Sequence, residues 1–334
     1  MGSRIVLLCA VAPTLRHEFF PTGLLTGLPS GRYQVLELNP VGMSAETFAR
    51  HLAAHDPEVL VTAWGTPTLP AQLPPGLRYV CHLCGSVREL LTRQHLEAGL
   101  VVTNWGNSIS RTIAECALFH VLAGLRRSTA WTIAMHFREG WVTPDTRTES
   151  LFERRVGIHG FGRVARKLVQ LLKPFSAPVQ VFAPDIDSAK AATHGVTAAT
   201  SLESLFSEND VVVELAPLIP ATAGIVDESL LRRLRPGAVF VNVGRGAVVD
   251  EAALARVAAE GLIQVGLDVF ATEPLPTDSP LRGLPNVSLT PHTAGPTNDR
   301  RRDAGDHALA NLRAYAARQP LQALITPAIY DVST

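Results

Sequence analysis

The stretch VGIHGFGRVARKLVQLLKPF, residues 156–175, decides the fold. A run of strand character, Val156 to His159, enters Gly160, Gly162 and Ala165 at G-x-G-x-x-A spacing and opens an amphipathic helix. Each small residue has a physical task. The first glycine turns the chain, the second lets the backbone approach a pyrophosphate, and the small third residue packs the helix on the sheet. Amides at the helix start then face the anion. The spacing alone says little in a chain with 25 glycines, where a second G-x-G stands at Gly244 and Gly246. The strand before, the helix after and a further β run about 20 residues on carry the dinucleotide reading against a tight turn of structural use only. His159 reads as a strand residue.

That further run ends in VQVFAPDID, where an acid should meet the adenosine ribose hydroxyls. Asp185 is the nearest candidate, with Asp187 behind it. No Arg or Lys occurs before Lys190, so a 2′-phosphate has no obvious partner there. NAD is the expected cofactor, with NADP possible.

Outward from this loop, the strand-like runs RRVGIHG, VQVFA, DVVVELA, AVFVNVG, IQVGLDVF and NVSLTPH follow one another through the second half of the chain. The first hundred residues hold a similar series, RIVLLCAVA, YQVLELN, EVLVTAW, RYVCHL and LVVTNW, with helical patterns between them. Continuous apolar runs indicate strands buried on both faces, and βα alternation implies parallel sheets covered by helices. The expected class is α/β, with two doubly wound parallel-sheet domains, Rossmann-like and flavodoxin-like, and a cleft between them. A substrate-binding domain of residues 1–106 plus 296–334 is expected to be discontinuous, since the helix NDRRRDAGDHALANLRAYAARQ follows the last strand and can cross back to complete it. Residues 107–295 are the expected NAD-binding domain. From Asn107 to Gly140 the pattern predicts one long helical stretch, with Thr112 and Glu115 as a capping box and the loop GWVTPDTRTES after it; such a helix suits a symmetric dimer.

Composition bounds the function. Apolar residues make up 46% and charged residues 18%, which excludes a disordered chain. Thirty basic side chains balance thirty acidic ones with no long basic run, so nucleic acid is not an expected partner. No apolar stretch has the length of a membrane helix. The N-terminal MGSRIVLLCAVAPTL loosely resembles a secretory signal but reads better as the first strand, and it lacks the Ser or Thr that myristoylation needs at position 6. Cys81 and Cys84 have C-x-x-C spacing without a second pair, so buried strand-end cysteines are expected, with no metal site and a reducing cytoplasm.

Ionisable groups stand at three strand ends: Arg245 in VFVNVGRGAVVDEAAL, Glu273 in GLDVFATEP and His292 in LTPHTAG. Ligands of open parallel sheets bind outside the carboxyl ends of strands, so the three can meet in one crevice. Each also has a structural alternative. Arg245 can pair with Asp250, Glu273 can cap a helix after Pro274, and His292 can be a satisfied interdomain histidine. Flanking glycines would leave room for a small acid beside Arg245.

The stretches GIHGFGRVAR, APLIPATAGIVD, LRPGAVFVNVGRGAVVDEAAL, GLDVFATEPLP and VSLTPHTAG, in this order, resemble the D-isomer-specific 2-hydroxyacid dehydrogenases. HLCGSV and GLVVTNWGNSISRTIAECAL match more loosely. The resemblance implies that Arg245 binds the substrate carboxylate and keto oxygen, that His292 is the acid/base and that Glu273 is its partner. It also implies cofactor contacts from Gly160, Phe161, Gly162, Arg163 and Val164 at the pyrophosphate, Ala216 and Pro217 on the adenosine side, Val243 and Gly244 on the strand before Arg245, and Asp268 at the nicotinamide amide. Backbone amides of Cys84 and Gly85 would help to hold the substrate carboxylate. The sequence departs from the family at Ala183, where the ribose acid is usual, at Ala165, and at Leu215. The implied activity is hydride transfer between NAD(H) and a small 2-hydroxy or 2-keto acid, probed against the alternative of an NAD(H)-sensing binding protein on the same fold. Side-chain preference would depend on the loops WGTPTLP and HLCGSV and on Trp64, Trp105 or Trp141.

Overall fold

The computed structural model describes residues 4–143 and 146–332. Met1 to Ser3 of the signal and myristoylation readings, and Pro144 and Asp145 of the GWVTPDTRTES loop, lie outside them. The chain divides into two compact units, Met1–Ile109 with Pro296–Thr334, and Ser110–Gly295.

The first unit begins with β1 (Ile5–Ala10), α1 (Pro13–Phe19), β2 (Tyr33–Leu38), α2 (Ala45–His55), β3 (Val59–Thr62), β4 (Tyr79–His82), α3 (Arg93–Glu97) and β5 (Val101–Thr103). All five expected strands form, in the order β2-β1-β3-β4-β5 with every pairing parallel. This is the flavodoxin-like order. Strands β3 and β4 are buried along their whole length, which explains their unbroken apolar character.

In the second unit, α4 (Ser110–Leu125) and α5 (Ser128–Phe137) precede β6 (Val156–His159), α6 (Arg163–Leu172), β7 (Val179–Phe182), α7 (Ser188–Thr193), β8 (Thr197–Ala198), α8 (Leu202–Glu208) and β9 (Val211–Glu214). Then come α9 (Glu228–Leu231), β10 (Val239–Asn242), α10 (Glu251–Ala259), β11 (Gln264–Leu267) and β12 (Val287–Leu289). The sheet runs β12-β11-β10-β9-β6-β7-β8, again all parallel. Its first six strands in chain order reproduce the doubly wound dinucleotide arrangement. The short β8 adds a strand to the six read from the sequence. Alternate residues of β9 and β10 serve opposite cores: Val212 and Phe240 pack with Leu205, Phe206 and Leu254, while Val213 and Val241 pack with Val121, Ile158 and Leu168.

The long helical stretch expected from Asn107 is two helices. Arg127 adopts a left-handed φ of 52°, and α5 restarts at Ser128. Thr112 therefore lies inside α4, where it does not act as an N-cap.

The chain returns to the first unit through α11 (Arg301–Ala316) and α12 (Pro327–Val332). Tyr33 Oη donates to the Leu312 carbonyl at 2.6 Å, and the Tyr315 ring stacks on Tyr79 at 4.9 Å. Among the described residues no helix is long and apolar enough to cross a membrane, and no cluster of His, Cys, Asp or Glu is set to hold a metal ion. All four cysteines are free; burial pushes the Cys81 thiol up to about 11, so it is not a ready thiolate.

Two buried histidines link fold and pH. His82 on β4 meets Thr62 Oγ1 of β3 at 2.9 Å, and His120 on α4 meets Thr290 Oγ1 at 3.0 Å. Burial lowers both to about 4, so both are neutral in the native protein, whereas the unfolded chain protonates them near 6.5. The unfolded state then binds more protons between these values. Stability is fully present above about pH 6.5 and is lost as pH falls toward 4, by up to about 3 kcal/mol per histidine. Denaturant melts from pH 7.5 to 4.5 should show this slope, and His120→Gln should remove its share. An unchanged slope in both His82→Gln and His120→Gln would contradict the assignment.

Candidate active site

The loops that follow β6, β9, β10, β11 and β12 leave one edge of a parallel sheet, and they carry most of the expected site residues. Gly160 has φ +84°, and a Cβ there would stand 2.7 Å from the backbone of Ala216. No side chain fits. Gly162 is the N-cap of α6 and offers no side chain to the first-turn amides, while the space beside its Cα holds no atom within 4 Å. Arg163 and Val164 occupy that first turn, which contains no acid. Phe161 turns its ring inward, with the Arg166 guanidinium 5.5 Å from it and His194 edge-on at 5.2 Å. The loop thus offers backbone N–H groups and open space, which fits a dinucleotide pyrophosphate.

The turn after β7 corrects one expectation. Asp185 is exposed there, and Asp187 is the N-cap of α7. Lys190 Nζ folds back to the Asp185 carbonyl at 2.8 Å, so the turn carries a cation that sequence distance appeared to exclude. Ala216 is buried and Pro217 exposed on the turn after β9; Val243 is buried, and Gly244 N donates to Asn242 Oδ1 at 3.0 Å.

Arg245 follows directly and is partly buried. Its Nη1 donates to the Gly244 carbonyl at 2.7 Å. Burial pulls the guanidinium down from its usual value, and the charge of Glu273 opposes that shift. Asp250 is engaged elsewhere, accepting from Ala253 N at 3.0 Å as the N-cap of α10. Gly246 does not clear space for substrate as expected. A Cβ there would lie 2.0 Å from the Phe270 carbonyl group, so glycine is needed for close backbone packing.

Glu273 caps no helix. Its Oε1 accepts from Phe270 N at 3.0 Å, and its Oε2 lies 2.6 Å from His292 Nδ1. The imidazole is half exposed, and Nε2 is the nitrogen that Glu273 does not engage. His292 itself has φ 53° on a loop held from below by the fully buried Asp268. Asp268 Oδ1 accepts from Thr290 Oγ1 at 2.6 Å and Thr293 N at 2.8 Å, and Oδ2 accepts from Ala294 N at 2.8 Å. Asp268 therefore fixes the residues on both sides of His292. Because Thr290 gives its proton to Asp268, His120 Nε2–H donates to Thr290, which extends the support to α4.

Sequence reasoning missed His120, Thr290 and Glu214. The available signal was a polar side chain in an otherwise apolar strand or helix face. On the first unit, the Cys84–Gly85 turn is braced by Asn104 Nδ2, which donates to the Gly85 carbonyl at 2.8 Å, and by Trp105 N, which donates to the Cys84 carbonyl at 3.2 Å. Trp64 and Trp105 meet edge to face at 5.6 Å, with Arg301 over Trp64. Trp141 stands exposed on the second unit.

Residues 118–294 match the family described as D-isomer specific 2-hydroxyacid dehydrogenase, NAD binding domain. The chain is 35% identical over 216 residues to D-3-phosphoglycerate dehydrogenase of Mycobacterium bovis, covering 64% of this chain and 40% of that protein. It thus spans less than half the length of this relative. Glyoxylate/hydroxypyruvate reductase B of Pectobacterium carotovorum is 32% identical over 237 residues, 70% of this chain and 74% of the relative. The apo structure of Rhodotorula graminis D-mandelate dehydrogenase shares the fold with a TM-score of 0.80 at 20% identity, over 97% of this chain and 98% of that one. With the glycine loop and the Arg245, Glu273 and His292 edge already in view, these matches show that the chain belongs to the D-isomer-specific 2-hydroxyacid dehydrogenases.

Proposed function

We propose that this protein interconverts small 2-hydroxy and 2-keto acids with NAD(H), working as a 2-keto acid reductase on glyoxylate- or hydroxypyruvate-like acids. The observation that carries the reading is the 2.6 Å contact between His292 Nδ1 and Glu273 Oε2 beside a desolvated Arg245. The name of the Pectobacterium relative supports the substrate class.

Arg245 presents forked donors that match a carboxylate and fixes C2 of the acid. NAD(H), when bound, supplies or accepts the hydride. Reduction leaves negative charge on O2, and protonated His292 quenches it by giving up the Nε2 proton. Glu273 orients the ring by holding Nδ1, which leaves Nε2 to face the substrate oxygen. Asp268 keeps the His292 loop in register; fully buried, with both oxygens engaged by Thr290, Thr293 and Ala294, it serves the site as a brace. In the oxidative direction the same imidazole accepts the hydroxyl proton.

The protein is further proposed to act as a cytoplasmic homodimer. Helix α5 carries Trp131, Ile133, Met135 and Phe137, yet buries none of its residues. Phe137 is 79% exposed and Trp141 73% exposed, a concentration of apolar surface that a second copy would cover.

Mixed with NADH, the protein should consume absorbance at 340 nm (about that wavelength) in the presence of glyoxylate or hydroxypyruvate, with pyruvate and phenylpyruvate as comparison acids. Absence of turnover with all four acids, using NADH or NADPH, would overturn the activity. His292→Ala should lower kcat by roughly 10²-fold to 10⁴-fold with NADH binding retained, and Arg245→Ala should chiefly raise KM for the keto acid. Near-normal kcat/KM in either variant would remove its assigned role. Sedimentation should give twice the chain mass, and Phe137→Glu should shift it to the monomer; a monomeric wild type would refute the dimer.

A further inference from the structure

The glycine loop is tied to the turn after β9 by a polar pair that the proposed chemistry does not use. His159 ends β6 and Glu214 ends β9, and the two are register partners on neighbouring parallel strands. His159 Nδ1 lies 2.6 Å from Glu214 Oε2, with the residues only 4% and 0% exposed. Apolar side chains of similar volume would fill such a place without desolvating a carboxylate. The surrounding sheet face does so, with Val212 and Phe240 fully buried.

The second carboxylate oxygen shows what the pair holds. Glu214 Oε1 accepts from Ala216 N at 2.7 Å, while the His159 carbonyl accepts from Leu215 N at 2.9 Å. Gly160, the next residue after His159, presses its Cα against the Ala216 backbone, since a Cβ would sit 2.7 Å away. The Glu214 carboxylate therefore bridges an imidazole on the residue before the first glycine to the amide that begins the Ala216–Pro217 turn. Both loops are held at one separation by short buried hydrogen bonds that water cannot replace.

We propose that His159 and Glu214 are positioning residues for the dinucleotide, a buried clamp that sets the spacing between the glycine loop and the Ala216–Pro217 turn and so the affinity for the adenosine diphosphate half of the cofactor. This rests on the dinucleotide reading of the glycine loop. Neither residue belongs to the Arg245, Glu273 and His292 group, so the clamp acts on cofactor binding ahead of the proton and hydride steps.

The test uses the full chain. Affinity for NADH and for ADP-ribose is measured by calorimetry, the melting temperature is recorded, and KM for NADH is compared with kcat. His159→Leu and Glu214→Leu are each expected to weaken both ligands by about tenfold or more, and to raise KM for NADH well beyond any fall in kcat. The double leucine variant should bind no better than either single one, because one clamp is lost once. Glu214→Gln, which keeps an acceptor for Ala216 N–H, should lose less than Glu214→Leu; equal losses would overturn the bridge to Ala216. Lowered melting temperature with wild-type NADH affinity, or restored affinity in the double leucine variant, would make the pair a core filler and overturn the clamp. Should the leucine variants fail to melt cooperatively, His159→Phe decides: it keeps a ring and loses the bond, so wild-type affinity there overturns the proposal. A wild type that binds neither NADH nor ADP-ribose would overturn the reading of the glycine loop itself, a result distinct from wild type and variants binding alike.

Discussion

Parallel pairing is the constraint on which the rest of this molecule depends. Neighbouring strands that all point the same way need a long crossover connection between them, most often a helix, and helices then cover both faces, so their residues are apolar on both sides. Polar chemistry is then confined to strand ends. In the seven-stranded sheet the ends of β6, β9, β10, β11 and β12 emerge at one edge, which is why Gly160, Arg245, Glu273 and His292 follow strands and Glu214 closes one.

Two histidine–carboxylate contacts of equal length show how burial changes the use of the same bond. His292 and Glu273 meet at 2.6 Å where the imidazole is half exposed, so the ring can exchange a proton with a small acid. His159 and Glu214 meet at 2.6 Å with almost no exposure, so that bond can only hold backbone in place. His120 is a third case. Burial keeps it neutral, and its Nε2–H serves Thr290 and, through it, Asp268 and the loop carrying His292. The loop that carries one histidine is thus braced by fixed hydrogen bonds from another.

Much of the fold was legible because the constraints are local. Strand runs were readable from continuous apolar character, and the glycine loop from the order of strand, small residues and helix. The break between α4 and α5 was not. No Gly or Pro marks positions 126 and 127, and Arg127 takes the left-handed turn without a sequence signal. Within the site, Arg245, Glu273 and His292 were found because each is an ionisable group at a strand end. Glu214 shares that position, but its meaning depends on a partner 55 residues earlier in the chain.

By itself, then, the amino-acid sequence determined the strands, the glycine loop and the placing of three ionisable groups at strand ends, since periodicity and spacing record constraints between near neighbours. Tertiary structure alone decided what each group meets. It placed Gly246 against the Phe270 backbone instead of beside a substrate, folded Lys190 back onto the Asp185 turn, and joined His159 to Glu214. Those contacts follow from which strands become neighbours and where loops turn back, and that geometry exists only once the sheet has formed.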